Sequence, residues 1–205
     1  MKAIVSLQLR PGSYISESEL SELIGVGRTP VREAVQRLAI EEFCEVLPRR
    51  GVLVVPLDLD RQTDIQEVRS QLEPAAARMA AERIGDADAE ALRKLLSEKE
   101  AVDDADENVI AEIDETLHTS VAAASKNDLL RRTLAPLYAH SRRHWNLQKR
   151  RGLKDPAAIK EDWSEIVDAI CRRDPAAAER AMRAHVEAGR LALLGTAARS
   201  VDASD

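Results

Sequence analysis

Arg28 and Arg32 stand four residues apart in the run Arg28-Thr29-Pro30-Val31-Arg32-Glu33-Ala34, so on a helix they project from one side. A guanidinium is a planar fork of donors that matches the O6/N7 edge of guanine, a pairing worth about 1–3 kcal/mol of base discrimination. Thr29 adds a hydroxyl that can cap a helix and also reach a phosphate. Arg49 and Arg50 sit beside Gly51, a composition suited to a hairpin tip that approaches a nucleic-acid backbone or minor groove. The plainer alternative pairs the helix arginines with Glu22 or Glu33 on a solvated face and leaves an ordinary exposed hairpin.

A second constellation lies further along. Asp114 and His118 are at i and i+4, which stacks a carboxylate and an imidazole on one helix face, as metal ligation requires. His185, on the last helical segment, would complete a three-ligand site for Zn²⁺, Ni²⁺ or Mn²⁺. The competing expectation is an ordinary Asp–His hydrogen bond inside a helical bundle. Arg69 suits carboxylate recognition by its fork geometry, or a plain salt bridge to Glu73 one turn on. The sequence has no Ser–His–Asp order and no phosphate loop. A metal-dependent enzyme would have to use Asp114, His118 and His185, with Glu112 or Glu115 as base.

The elements that must position these groups are legible from punctuation and period. Leu9-Arg10-Pro11-Gly12 forces a turn after a short first helix. Ser16 with Glu19 reads as a capping box that starts a helix at Glu17. Gly25-Val26-Gly27 breaks that helix, and Thr29 as N-cap with Pro30 in the first helical position opens the next. Val31, Ala34, Val35 and Leu38 recur at core spacing. Two β-prone runs, 44–47 and 52–55, flank Pro48 to Gly51. Helix, turn, helix and basic-tipped hairpin make a winged helix-turn-helix over 1–57. Residues 58–65 read as a linker and 66–199 as an all-helical domain with a loose tail at 200–205. Helices are expected near 62–84, 88–103, 107–125, 128–151, 157–173 and 175–197, with starts marked by Asp155-Pro156 and Asp174-Pro175. Pro74 and Pro136 should kink or split two of them. The fold class is mainly α, a winged helix-turn-helix followed by a helical bundle.

Aromatics are only 2% of residues, so the core must be aliphatic, which suits Ala- and Leu-rich helices. The net charge of −6 is awkward for a nucleic-acid binder until its distribution is considered. Residues 1–57 hold seven basic and seven acidic side chains, so the excess acid lies in the helical domain. The run from Tyr138 to Lys154 has six Lys/Arg and no acid; it reads as a solvated face or as a partner for the acid-rich 98–115 segment. Cys44 and Cys171 are isolated, which suits a reducing cytoplasm. No apolar stretch reaches membrane-span length, and no secretory signal pattern opens the chain.

These residues resemble a known family. Leu9-Arg10-Pro11-Gly12, Ser18-Glu19-Leu20, Gly25-Val26, Arg28 to Ala34 and Arg49-Arg50-Gly51 look like the DNA-binding domain of GntR-family bacterial transcription regulators. Arg69-x-x-x-Glu73-Pro74, Asp114-x-x-x-His118 and Ile166 to Ile170 leading to Asp174 and His185 resemble the FadR-type (FCD) effector domain of that family. The resemblance implies a homodimer that binds double-stranded operator DNA through Ser16, Arg28, Thr29, Pro30, Arg32, Arg49, Arg50 and Gly51. Repression is the more frequent mode in such families. A small carboxylate effector would be held by Arg69, Asp114, His118 and His185. Family members usually begin further upstream, so the first helix is expected to be abbreviated. Their metal site usually adds a histidine 22 positions before the last one, a place taken here by Trp163, whose indole N–H has no lone pair to give a metal. Gly27 replaces a usual serine, which prompts one further alternative: a helical interaction protein whose DNA binding has decayed.

Overall fold

The computed structural model describes residues 1–102, 106–151 and 163–202. After α1 (Lys2–Val5) and a two-residue strand β1 (Tyr14–Ile15), Ser16 caps α2 (Glu17–Ile24). Its hydroxyl accepts from the Glu19 N–H at 3.1 Å while the Glu19 carboxylate accepts from the Ser16 N–H at 2.8 Å, so the expected capping box is present. Gly25, at φ +68°, ends α2 in the left-handed conformation that glycine tolerates best. The next helix, α3, spans Arg28–Ile40 with Gly27, not Thr29, as its N-cap. The reason is that Gly27 is already extended (φ −64°, ψ 162°) and its carbonyl takes the first helical bond, from Val31. Pro30 is therefore the third helical residue, where its missing N–H still costs nothing.

Strands β2 (Cys44–Leu47) and β3 (Gly51–Val54) form the hairpin, and β1 adds to it to give the antiparallel order β1-β3-β2. Strand β1 is too short to announce itself in the sequence. Gly51 has φ +89°, and a Cβ there would lie 2.8 Å from the Ile15 carbonyl oxygen, so its glycine is required where the wing crosses β1. Leu20, Val31, Val35, Cys44 and Val52 close the head's core.

The helical domain comprises α4 (Leu59–Arg83), α5 (Asp86–Ala101), α6 (Glu107–Ala124), α7 (Asp128–Arg150), α8 (Ser164–Cys171) and α9 (Pro175–Asp202). The expected linker is shorter than 58–65, because Asp58 accepts from the Asp60 N–H and starts α4 at once. Neither Pro74 nor Pro136 divides its helix. Helix α4 packs against α6, α7, α8 and α9, and that burial outweighs one lost backbone bond. The tail expectation is also corrected, since α9 continues to Asp202; 203–205 and the Asp155-Pro156 cap lie outside the described residues. The aliphatic core gathers alanines of α4 with Leu92, Leu117, Ile166, Ile170 and Met182 around Trp163.

The described part of the basic run on α7 is only partly a solvated face: Arg150 and Arg151 are exposed, but its inner residues meet the head. His140 Nε2 donates to the Glu41 carbonyl at 2.8 Å, Arg143 Nη2 to Val55 O at 2.5 Å, and Asn146 Nδ2 to Val5 O at 2.8 Å. Arg150 donates to the carbonyls of Ser6 and Leu7 at 3.0 and 3.2 Å. Phe43 of the head stacks on the His140 ring with centroids 3.9 Å apart, and Ile4, Val54 and Ala139 complete an apolar contact between the domains. The same run also meets the acid-rich segment, where Lys149 reaches Asn108 Oδ1 at 3.0 Å.

Candidate nucleic-acid interface and buried polar site

At the opening of α3, Arg28, Thr29, Pro30 and Arg32 are all exposed. Arg32 is held by Glu17: its Nε lies 3.2 Å from both carboxylate oxygens and its Nη2 2.9 Å from one. The partner is the first residue of α2, neither Glu22 nor Glu33. The Arg32 hydrogen bonds draw the Glu17 carboxyl below its ordinary range. This contact uses the Nε/Nη2 edge of the guanidinium and leaves the Nη1/Nη2 edge directed away from Glu17. Ser16 spends its oxygen on the cap but keeps its hydroxyl proton for a phosphate. Arg49, at φ +65°, and Arg50 are exposed at the turn between β2 and β3, and Gly51 shapes the wing beside them.

The second site is buried between α4, α6, α7 and α9. Asp114, His118 and His185 are brought together, each offering one ligand atom, all within 4.8 Å of one another. His118 Nε2 lies 3.4 Å from His185 Nε2 and 3.6 Å from Asp114 Oδ2. Arg69 pairs with Glu73, and its Nη2 also comes within 3.4 Å of His118 Nε2. Glu73 Oε2 in turn lies 2.6 Å from His118 Nδ1. The Glu73 carboxylate thus lies against one ring nitrogen of His118 and leaves Nε2 facing Asp114 and His185. Burial opposes the charge of Glu73, yet Arg69 and His118 overcome it and hold the group at about 2. Burial likewise disfavours the Asp114 carboxylate, but His118, His185, Lys99 and the Trp163 hydrogen bond keep it below its ordinary range.

Several members of this site were not singled out by spacing. Lys99 approaches Asp114 at 3.7 Å; Tyr138 lies beneath the Arg69 guanidinium at 5.4 Å; Ser141 accepts from Arg69 Nη1 at 3.0 Å. Tyr138 and Ser141 are three apart on α7, a helical-face signal hidden by the basic residues around them. Glu73 was visible only as a partner for Arg69, not as the group that orients His118.

The donor set can be tested against a metal. Bonds of about 2.0–2.1 Å in a tetrahedral site separate neighbouring ligand atoms by about 3.4 Å, close to the observed 3.4 and 3.6 Å. Trp163 occupies the expected fourth position: its Nε1 donates to Asp114 Oδ1 at 2.7 Å, leaving Oδ2 for a cation. Two of the three ligand separations thus suit a divalent ion, the third is within 4.8 Å, and Arg69 Nη2 lies 3.4 Å from His118 Nε2 beside them.

A winged helix-turn-helix joined to a helical domain with a buried polar cluster defines a DNA-binding regulator. Residues 2–54 match the sequence model of bacterial regulatory proteins of the gntR family, and residues 64–188 match that of the FCD domain. The chain belongs to the GntR family of transcriptional regulators, in its FCD-containing branch, and is not an enzyme. It is 33% identical over 130 residues to the Nta operon transcriptional regulator of Aminobacter aminovorans, covering 63% of this chain and 62% of that protein. It is 31% identical to an HTH-type transcriptional regulator in an unstable DNA locus of Streptomyces ambofaciens, covering 90% of this chain and 78% of the relative. Among solved structures, E. coli McbR/YncC shares the fold at a TM-score of 0.78 and 19% identity, over 94% of this chain and 92% of that one. Family regulators bind operator DNA. Among the described residues no helix is long and apolar enough to cross a membrane.

Proposed function

We propose that this regulator is a homodimeric repressor whose operator affinity is set by a small organic-acid effector taken up in the helical domain. The observation that carries the reading is a buried cluster with two fixed cations, Arg69 and Lys99, beside three inward-facing ligand atoms. It lies in the same chain as an exposed arginine pair at a helix opening. Each head would place the start of α3 in one half-site of a near-palindromic operator. Arg28 and Arg32 read base edges, Thr29 and Ser16 reach phosphate, and Arg49 and Arg50 approach the flanking backbone. Occupying two half-sites of a duplex excludes other proteins from it, which favours repression.

In the helical domain Asp114, His118 and His185 would hold a divalent ion, and Arg69 would bind and orient the effector carboxylate. When bound, such an ion supplies a Lewis-acidic anchor for a carboxylate oxygen. Glu73, 2.6 Å from His118 Nδ1, orients the ring so that Nε2 faces the cluster, and Trp163 excludes water from the back of the site. DNA and effector must alter each other's affinity equally.

Selection of bound fragments from random DNA, followed by binding with and without Zn²⁺ and a panel of small carboxylates, tests the reading. The expected result is an enriched near-palindrome, a metal content near one equivalent, and a carboxylate that shifts operator affinity by about tenfold or more. An enriched site recovered equally by Arg32→Ala protein would sink the DNA-contact assignment. Zn²⁺ below about a tenth of an equivalent, with no binding on titration, would remove the metal.

A further inference from the structure

We infer that His140 and Arg143 are positioning residues that fix the DNA head against the helical domain, and that α7 carries the state of the buried site to that head. This rests on the operator-binding dimer proposed above, and it assigns a residue-level device to it.

The donors His140, Arg143, Asn146 and Arg150 follow one another at steps of three or four along α7, so they share one face. Their acceptors are all main-chain carbonyls of the head, and they lie at three separate corners. Glu41 is the C-cap of α3, Val55 immediately follows the wing strand β3, and Val5 to Leu7 end α1. Contacts to three different elements of the head, spread along α7, tie the head to that helix, so the placement of α7 biases the direction in which the opening of α3 points. Arg143 is 1% exposed and has no carboxylate partner among the described residues. Burial pulls its guanidinium down to about 10. A cation so placed adds little to folding by itself, but it supplies a directional donor that a shorter or apolar side chain could not.

The same helix enters the effector site. Ser141 lies between His140 and Arg143 in sequence and accepts from both Arg69 Nη1, at 3.0 Å, and Gln62 Nε2, at 3.3 Å. Tyr138, one turn earlier than Arg142, lies under the Arg69 guanidinium. A helix moves as a unit over one turn, so drawing Arg69 toward a bound anion changes its bond to Ser141 and moves the donors beside it. Because these polar acceptors are main-chain oxygens, the head's basic side chains at α3 and the wing are not used in them and remain exposed.

The test uses the full chain and three kinds of duplex: a single half-site, the selected operator, and operators with base pairs inserted between half-sites. Wild-type protein is expected to bind the operator with a sharp penalty for altered spacing. Arg143→Met and His140→Ala should keep half-site affinity within about twofold while the spacing penalty shrinks by about tenfold or more, because loosely tethered heads tolerate any span. Arg143→Lys, which keeps a donor on a similar stem, should restore part of the penalty. Ser141→Ala touches no atom of the head and should relax spacing in the same direction by a smaller factor.

An unchanged penalty in both Arg143→Met and His140→Ala, or equal loss of half-site and operator affinity, overturns the positioning role. An unchanged penalty in Ser141→Ala alone overturns the link through α7. Absence of any enriched site for wild-type protein overturns the operator-binding dimer itself, and is told apart because no variant is then needed to see it.

Discussion

Replacing Glu73 with glutamine removes the one buried carboxylate that faces both Arg69 and His118, and the structure gives the size of the effect. A carboxyl held at about 2 instead of its ordinary 4.5 stores about 3 kcal/mol, at about 1.36 kcal/mol per pH unit between the two. The independent expectation for breaking a buried ion pair, about 3–5 kcal/mol, agrees. Because the folded value lies below the unfolded one, this stabilisation is fully present above about pH 5. It is lost as pH falls through 4.5 toward about 2. Glu73→Gln should therefore unfold about 6–12 °C below wild type at pH 7, given about 2–4 °C per kcal/mol for a chain of this size. The gap should narrow steadily toward pH 3. Thermal unfolding followed by circular dichroism, with chelator present and protein concentration fixed, reads both quantities. A variant within about 1 kcal/mol of wild type at pH 7, with the same difference at pH 3, would refute the reasoning.

Arg32→Ala should lose about 1–3 kcal/mol of discrimination between operator and random DNA, measured by competition at fixed salt, and should lower the salt slope little. Glu17→Gln leaves Arg32 in place but loosens its grip, so discrimination should fall while affinity for random duplex holds or rises; a parallel loss of both would argue for damage to α2. Gly51→Ala drives a Cβ to 2.8 Å from the Ile15 carbonyl oxygen at φ +89°, which should cost about 1–3 kcal/mol of head stability in a denaturant titration. Trp163→His offers a fourth ligand beside Asp114, and Zn²⁺ affinity by calorimetry should rise about tenfold or more; an unchanged affinity would show that the histidine does not reach the cluster.

The head was legible because its signals are local. The Ser16–Glu19 box, the Gly25 break and the core spacing of Val31 and Val35 each act within a turn or two, and each falls where expected. The error at Thr29 is instructive: two candidate caps stood side by side, and the extended conformation of Gly27 decided between them. In the helical domain, Asp114 and His118 were readable from i,i+4 spacing, and His185 from its place on the last helical segment. Ser141, Tyr138 and Lys99 were not, since they reach the site from other helices and nothing in their neighbourhoods marks them. The prolines do not split their helices, because packing weighs against propensity. Pro74 is buried in α4 amid neighbouring helices, where tertiary contact overrides a missing N–H.

The basic run on α7 shows how composition conceals a function when the partner is backbone. Six cations and no acid between Tyr138 and Lys154 point to solvent or to the acid-rich 98–115 segment, because charge arguments look for carboxylates. Arg143 and Arg150 instead end on carbonyl oxygens, which every residue carries and no sequence pattern reveals. The consequence concerns the whole molecule. A head whose seven bases are matched by seven acids has little charge to spare, and docking through its own arginines would consume the cations that DNA requires. Gripping it through main-chain oxygens leaves Arg28, Arg49 and Arg50 exposed. The docking of the head and its contact with phosphate therefore draw on separate groups, and one can change without weakening the other.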